Sequence, residues 1–355
     1  MHSYSSPFAS PILKPFSQKK HMHNHSSTNI DGDRNDKVNG DNDDNDHNND
    51  NDVDMERHLP DFREAGKLAG KIREQSKSLI SVGEPLLDIA ETIEKIIIEE
   101  GGRPAFPVNI SINEIAAHNT PEFGSEIVLG EKDLVKIDLG VEINGALADT
   151  AYTIDLSDEN GKLIEASETA LAKAISAIKP GIRTGSIGEI IEETIKGFGY
   201  LPISNLSGHM IKPNELHAGI DIPNVKTENA ENTHKFREGE IFAIEPFVTN
   251  GEGFVEELEQ VEIFSVFMPA QIRMRQSRKI AEYVLANFGT APFAERWIRK
   301  EFSSRLLVSA ALREMLQSHL LRGYPILREK GRGLVAQTEH TIRITADGCE
   351  ILTKG

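Results

Sequence analysis

The sequence predicts an α+β fold, in which runs of helices and runs of strands are separated along the chain. Apolar residues recur at helical spacing in several segments, and an Asn-Gly pair joins two segments of strand-like composition. The predicted order is helix, helix, hairpin, helix, helix and then strands. This order differs from the regular alternation that parallel βαβ units require.

The helices are predicted from apolar spacing and from the residues that end them. The second predicted helix, for example, carries an apolar stripe of Leu86, Ile89, Ile93 and Ile97 and stops at a pair of glycines. The predicted helices span residues 61–79, 84–100, 162–178 and 185–198, and a largely helical stretch spans 271–317 with an interruption at 289–292.

The strands are predicted around one hairpin and in three later segments. Asn144-Gly145 is a two-residue turn of the type that joins antiparallel strands. The predicted strands span residues 134–143 and 146–154 on either side of that turn, followed by 205–211, 240–248 and 334–344.

The first 57 residues differ in composition from the rest of the chain. Between residues 31 and 54, 17 of 24 residues are Asp or Asn. Such a segment has too few apolar side chains to offset the entropy of ordering, so we predict that residues 1–57 are disordered. The folded body is predicted to span 58–355, with residues 269–325 as a helical insertion subdomain. The regular pattern begins just after Met55, so Met55 stays open as an alternative start. An HxHxH run at His21, His23 and His25 is interpreted as part of the solvated tail.

The charge and cysteine content restrict the location and the partners. The net charge is −17, of which residues 58–355 carry −12, so nucleic acid is not expected as the main partner, although a local basic patch could still contact a ribosome. The single cysteine, Cys349, cannot form an internal disulfide, which favours a reducing compartment. No apolar run is long enough to cross a membrane. We therefore expect a cytoplasmic protein with no DNA and no membrane partner, and a monomer.

Two aspartates of the hairpin are candidate metal ligands. If Asn144-Gly145 is the turn, Gly140 pairs with Asp149, and Asp138 lies on the same face as Asp149, as a diagonal neighbour. Two like charges on one face repel each other, and a divalent cation between them removes that penalty. Alternatively, both aspartates are solvated on an exposed face.

Further along the chain lie histidines and glutamates with the same potential. His209 and His217 each lie next to or near a glycine that leaves room beside the backbone. Glu245 and Glu339 lie in apolar, strand-like segments, where a carboxylate is costly unless it is paired or binds a metal. Jointly, the two aspartates, two glutamates and one histidine form a donor set suited to a pair of divalent ions.

Six motifs occur in order between Pro60 and the C-terminus: PAFPVNISINEIAAH, KIDLGVEINGALADTA, NLSGH, HAGIDIPN, FAIEPF and AQTEHTI. Together they resemble those of type 2 methionine aminopeptidases of peptidase family M24, especially the archaeal ones. The resemblance implies the pita-bread fold, a pseudo-symmetric α+β body with the metals in a central cleft. It also implies a helical insertion between Glu245 and Glu339. Two positions depart from the family pattern: Asn119 where tyrosine is usual, and Thr338 where phenylalanine is usual.

The resemblance assigns roles residue by residue. It implies two divalent ions per chain, of Co, Mn, Fe or Zn, held by Asp138, Asp149, His209, Glu245 and Glu339. It implies that His118 and His217 contact the substrate, and we expect Glu245 to move a proton. It places Phe106, Leu216 and Tyr324 at the methionine pocket.

The implied activity is removal of the initiator methionine from nascent polypeptides when the second residue is small, through a hydroxide that bridges two metals. Two alternatives stay open. One is an Xaa-Pro dipeptidase or aminopeptidase, which shares the fold and the ligand set but usually has a folded N-terminal domain. The other is a non-catalytic pita-bread protein that serves as a binding module.

Overall fold

The computed structural model describes residues 46–355, with the side chains of all but residues 46–54 and 232. The helices in this part are α1 Asp46–Ser76, α2 Leu86–Glu99, α3 Gly161–Ala177, α4 Thr184–Gly197, α5 Arg275–Asn287, α6 Glu295–Glu301 and α7 Arg305–Gln317. The strands are β1 Arg103–Pro104, β2 Asn109–Ile112, β3 Ile115–Ala117, β4 Leu134–Ile143, β5 Ala146–Asp155, β6 Leu201–Pro202, β7 Ser207–Ile211, β8 Asp221–Pro223, β9 Ile241–Ile244, β10 Phe247–Thr249, β11 Val255–Val266, β12 Phe293–Ala294, β13 Leu321–Glu329, β14 Val335–Gln337, β15 His340–Ile344 and β16 Cys349–Ile351.

The first half of the body is a four-stranded antiparallel sheet of β1, β4, β2 and β5, packed against α1 and α2. The apolar stripe of α2 supplies Ile89, Ile93 and Ile97 to the core between helices and sheet. The predicted hairpin is confirmed, with Ile143 opposite Ala146. Asn144 and Gly145 both have positive φ, 51° and 88°, as the two-residue turn requires.

The second half pairs helices with sheet in the same way. The five-stranded sheet runs in the order β16-β15-β9-β7-β8, and the three-stranded sheet in the order β14-β10-β6. Helices α3 and α4 pack against these sheets through a continuous apolar core. Two layers of this kind, one per half, are the α+β architecture that the sequence predicts.

Two segments predicted as continuous strands are interrupted. The strand predicted at 240–248 divides into β9 and β10 around Glu245, and the one predicted at 334–344 divides into β14 and β15 around Glu339. β9 pairs with β15, and β10 pairs with β14, so the two interruptions lie opposite each other. Both glutamates therefore lie where the chain passes from one sheet to the other.

The predicted helical stretch at 271–317 contains α5, α6 and α7, and the break between α5 and α6 includes the predicted residues 289–292. The three helices pack on a ribbon of β11 and β13 and form a core of their own. This part is fixed to the body by a buried group of polar side chains. Glu94 of α2 accepts hydrogen bonds from Arg296 and from Trp297 Nε1, the latter at 2.9 Å.

Helix α1 starts at Asp46, earlier than the predicted residue 61, and continues through Pro60. Contacts on both sides of Pro60 account for this: Phe62 is fully buried, Met55 packs against the same apolar cluster, and Glu56 accepts a hydrogen bond of 3.1 Å from Arg343. The first part of the segment predicted to be disordered, residues 1–45 with the HxHxH run, lies outside the described residues.

Candidate active site

A cavity of about 380 Å³ opens between the two halves of the body and the β11–β13 ribbon. All ten residues that the sequence proposes for the site line this single cavity. They are Phe106, His118, Asp138, Asp149, His209, Leu216, His217, Glu245, Tyr324 and Glu339. The structure therefore brings the ten predicted positions together in one cavity.

The hairpin supplies the first two carboxylates. Gly140 lies opposite Asp149 and Asp138 lies opposite Ala151, so the two aspartates are diagonal neighbours on one face, as predicted. Burial raises the pKa of Asp138 to about 7. Burial, with the charges of Asp138 and Glu245, also raises the pKa of Asp149 well above its usual range.

The two strand interruptions supply the other carboxylates, and β7 supplies an imidazole. Nε2 of His209 lies 3.6 Å from Asp149 Oδ2 and 3.8 Å from Glu245 Oε1. Burial raises the pKa of both Glu245 and Glu339, and the surrounding carboxylates raise it further. Burial and the nearby His217 lower the pKa of His209 to about 3, so its ring is neutral and can donate a lone pair.

This cluster has the chemistry of a metal site. One ligand atom from each of Asp149, His209 and Glu339 lies within 4.8 Å of the others. Asp138 Oδ1, Asp149 Oδ1 and Glu339 Oε1 are buried and accept no hydrogen bond from the part of the chain that the structure describes. Buried carboxylates without partners are costly, and a divalent cation is the ligand that satisfies them. The residues present therefore fit a metal.

The two remaining histidines flank the cluster. The ring of His217 lies 4.1 Å from that of His209, measured between centroids. His118 has a positive φ of 60° and contacts Pro325 O through Nδ1 at 3.2 Å, which fixes the direction of its ring. Burial lowers the pKa of His118 to about 4 and also lowers that of His217, so both rings are neutral near pH 7.

Apolar and aromatic side chains form one end of the cavity. Phe106 packs so closely over Gly140 that a Cβ there would lie 2.4 Å from the ring atom Cε1. Tyr324 meets His118 edge-on, with ring centroids 5.7 Å apart, and its hydroxyl lies 3.0 Å from Ser265 Oγ. The unbranched, flexible thioether chain of a methionine suits such an apolar, aromatic surface.

The structure adds polar residues that the sequence analysis did not identify. Asn109 Nδ2 lies 3.5 Å from Asp138 Oδ2, and Gln337 Nε2 donates a 3.2 Å hydrogen bond to Glu245 Oε2. Asp221 and Arg322 also line the cavity. Asn109 and Gln337 each lie within a motif quoted above, but only the tertiary structure shows which carboxylate each one orients.

Neither of the two departures from the family pattern lines the cavity. Asn119 donates a 2.6 Å hydrogen bond from Nδ2 to Ile110 O, and Thr338 Oγ1 lies 2.8 Å from Ser167 Oγ. Both side chains face away from the site into the surrounding structure, so they do not shape the pocket directly.

A buried set of carboxylates and an imidazole with these properties defines a metal-dependent hydrolase, and comparison with known proteins identifies its kind. Residues 61–346 match the model of metallopeptidase family M24, and the chain belongs to this family. It is 47% identical to the methionine aminopeptidase of Methanocaldococcus jannaschii over 82% of this chain and 97% of that protein. It is 46% identical to the methionine aminopeptidase of Pyrococcus abyssi, over 82% of this chain and 98% of that protein. These archaeal relatives confirm the predicted family and the predicted activity class, an aminopeptidase.

Solved structures support the same fold. The methionine aminopeptidase of Thermotoga maritima matches with a TM-score of 0.61 at 25% identity, covering 85% of this chain and 97% of that one. A thermophilic Arx1 matches with a TM-score of 0.73 at 20% identity, covering 83% of this chain and 90% of that one. The prolidase of Pyrococcus furiosus matches less well, with a TM-score of 0.55 at 18% identity, covering 87% of this chain and 68% of that one. The predicted pita-bread fold is confirmed. In residues 46–355, no helix is long and apolar enough to cross a membrane.

Proposed function

We propose that this protein removes the initiator methionine from nascent polypeptides when the second residue is small. The observation that carries the proposal is the convergence of ten residues, taken from motifs spread between positions 106 and 339, on one cavity. The identity to methionine aminopeptidases over most of their length supports this substrate rather than an Xaa-Pro peptide. We expect the enzyme to act as a monomer in the cytoplasm, on chains emerging from the ribosome.

Two divalent ions of Co, Mn, Fe or Zn would be held by the five predicted ligands. By the family resemblance, Asp138 would be a ligand of one ion, His209 and Glu245 would be ligands of the other, and Asp149 and Glu339 would serve both. When bound, a pair of such ions would polarise the scissile carbonyl and lower the pKa of a water molecule, so that the water can lose a proton and attack the carbonyl near neutral pH. Four ionised carboxylates would offset the charge of two dications, which explains how so many acidic side chains can be buried together.

The protein's own side chains would then orient the substrate and move the proton. Glu245 lies 3.8 Å from His209 and is held by Gln337, so its carboxylate is positioned to take a proton from the attacking water and return it to the leaving amine. Neutral His217 would donate a hydrogen bond to the oxygen of the scissile carbonyl as negative charge develops there. Neutral His118 would contact the scissile amide.

The apolar end of the cavity would bind the methionine side chain. Phe106, Leu216 and Tyr324 line it, and Gly140 leaves the space that the ring of Phe106 occupies. With the methionine seated there, the rest of the substrate leaves through the open side of the cavity. Crowding beside the scissile bond would account for a requirement for a small second residue.

The test is a metal-reconstitution series on the peptide Met-Ala-Ser, with an Xaa-Pro dipeptide assayed in parallel. We expect methionine release that depends on the added metal, with little hydrolysis of the Xaa-Pro peptide.

Glu245→Gln should abolish turnover with little effect on folding, and Glu262→Gln is the matched control. Glu262 is a half-buried carboxyl on β11 that does not line the cavity, and burial raises its pKa to about 7. Faster hydrolysis of the Xaa-Pro peptide, or near-normal activity of Glu245→Gln, would refute the proposal.

A further inference from the structure

Arg322 is a cation in the cavity to which the proposed reaction gives no role. It lies on β13, opposite Ser265 of β11, and lines the cavity with its side chain exposed. Its guanidinium lies 5.5 Å from the ring centroid of Tyr324. Among the described residues it has no hydrogen-bond or ion-pair partner, so its five donors are available to a ligand.

The position of Arg322 along the strand places it beyond the methionine pocket. Residues two apart on a strand share a face and lie about 7 Å from each other. Tyr324 forms part of the apolar end of the cavity, and Arg322 is two residues away on the same face, on the exposed side. A peptide whose first side chain reaches Tyr324 and whose chain runs along β13 towards its exposed side would carry its following residues past the guanidinium.

The electrostatics of the cavity leave Arg322 as a distinct positive feature. The charged side chains that line the cavity, apart from the four buried carboxylates, are Arg322 and Asp221. Asp221 lies on the opposing wall, on β8, where it pairs with His209 in the sheet. The field of Arg322 reaches the reaction site: after burial, it is a further cause that lowers the pKa of both His118 and His217.

We propose that Arg322 binds a carboxylate of the substrate on the C-terminal side of the scissile bond, so that the enzyme favours peptides with an acidic residue soon after the methionine. The inference rests on the proposed function and adds a preference to it. The planar guanidinium suits a two-oxygen acceptor, and its stacking on Tyr324 holds it in place before the substrate arrives.

The expected effect is modest because the side chain is exposed. Exposed ion pairs contribute little, which corresponds to a preference of about two- to fivefold in kcat/KM. Salt should weaken the preference, because the screening length falls from about 10 Å at 0.1 M to about 3 Å at 1 M ionic strength.

The experiment compares three peptide amides, Met-Ala-Asp-Ser-Gly, Met-Ala-Asn-Ser-Gly and Met-Ala-Lys-Ser-Gly, with the metal-loaded enzyme. The measured quantity is the ratio of kcat/KM between peptides within each variant, so any general effect of a substitution cancels. We expect the Asp peptide to be favoured by the unmodified enzyme. Arg322→Gln should remove the preference, and Arg322→Glu should reverse it in favour of the Lys peptide. Asp221→Asn, the matched control on the opposing wall, should keep or increase the preference for Asp.

A second pair of substrates, Met-Ala-Ser as free acid and as amide, identifies the source of the carboxylate. If Arg322→Gln removes a preference for the free acid alone, the bound group is the C-terminus of a short peptide and the preference for acidic side chains is refuted. Equal ratios in the unmodified enzyme and Arg322→Gln would overturn any role for Arg322. If the unmodified enzyme and all variants fail to hydrolyse the Asn peptide, the proposed function itself is refuted.

Discussion

The insertion helices are joined to the body by a buried ion pair whose removal should have a large effect on stability. Arg296 is 1% exposed and Glu94 is 5% exposed. The guanidinium of Arg296 donates to Glu94 and to Thr120, and Glu94 also accepts hydrogen bonds from Trp297 Nε1 at 2.9 Å and from the amide of Val108 at 3.2 Å. Arg296→Met keeps an unbranched side chain as far as the start of the guanidinium and removes that group with its charge and hydrogen bonds.

Arg296→Met should lower the free energy of unfolding by about 3–5 kcal/mol near neutral pH, because it leaves a carboxylate buried without its counter-charge. The loss should depend on pH. Burial raises the pKa of Glu94, the charge of Arg296 opposes that rise, and removing Arg296 raises the pKa further. When the pKa of a carboxyl group is higher in the folded state than in the unfolded state, the free energy of unfolding falls as the pH rises between these two pKa values. The fall is at most about 1.4 kcal/mol per pH unit. The difference in free energy of unfolding between the variant and the unmodified protein should therefore be smallest near pH 5 and largest near pH 8.

Urea unfolding followed by tryptophan fluorescence measures this directly, since the chain has one tryptophan and Trp297 is next to Arg296. The double variant Glu94→Gln with Arg296→Met should be more stable than Arg296→Met alone, because it leaves no buried charge. Arg299→Met, which removes a half-buried cation packed over the ring of Phe123 at 5.2 Å, is the control and should cost far less. A loss below about 1 kcal/mol, or one independent of pH, would contradict the reasoning on buried charge.

Two further substitutions test the site itself. Glu339→Gln removes one of four clustered carboxylates, so the metal-free variant should melt at a higher temperature than the metal-free unmodified protein. Added Mn²⁺ should stabilise the unmodified protein by about 2.7 kcal/mol at one hundred times Kd and the variant far less, and an equal shift would count against Glu339 as a ligand. Gly140→Ala places a Cβ 2.4 Å from Phe106 Cε1, so the ring must move. We expect a higher KM for Met-Ala-Ser in steady-state kinetics. An unchanged KM would exclude Phe106 from the methionine pocket.

The hairpin could be predicted in detail because its determinants are local. Asn144-Gly145 fixes the turn, the turn fixes the register, and the register places Asp138 beside Asp149. The positions of His209, Glu245 and Glu339 relative to this pair depend on long-range pairing, and only the resemblance of whole motifs could suggest them. The interruptions around Glu245 and Glu339 were not predicted, because the flanking residues have strand-like composition on both sides.

Other features were missed for identifiable physical reasons. β11 carries four glutamates on a half-exposed ribbon, so its sequence lacks the apolar alternation of a buried strand. The early start of α1 depends on contacts of Met55 and Phe62 with distant parts of the chain, which outweigh the local effect of Pro60. The role proposed for Arg322 depends on its stacking on Tyr324 and on its open side, neither of which the sequence reveals.

The spread of the buried carboxylates along the chain has a consequence for biosynthesis. The hairpin with Asp138 and Asp149 can form early, but Glu339 follows Asp149 by 190 residues. A growing polypeptide thus lacks the complete set of acidic groups until Glu339 has been synthesised. A copy of this enzyme that stops before Glu339 should therefore be unable to trim its neighbours, whatever the state of its first half.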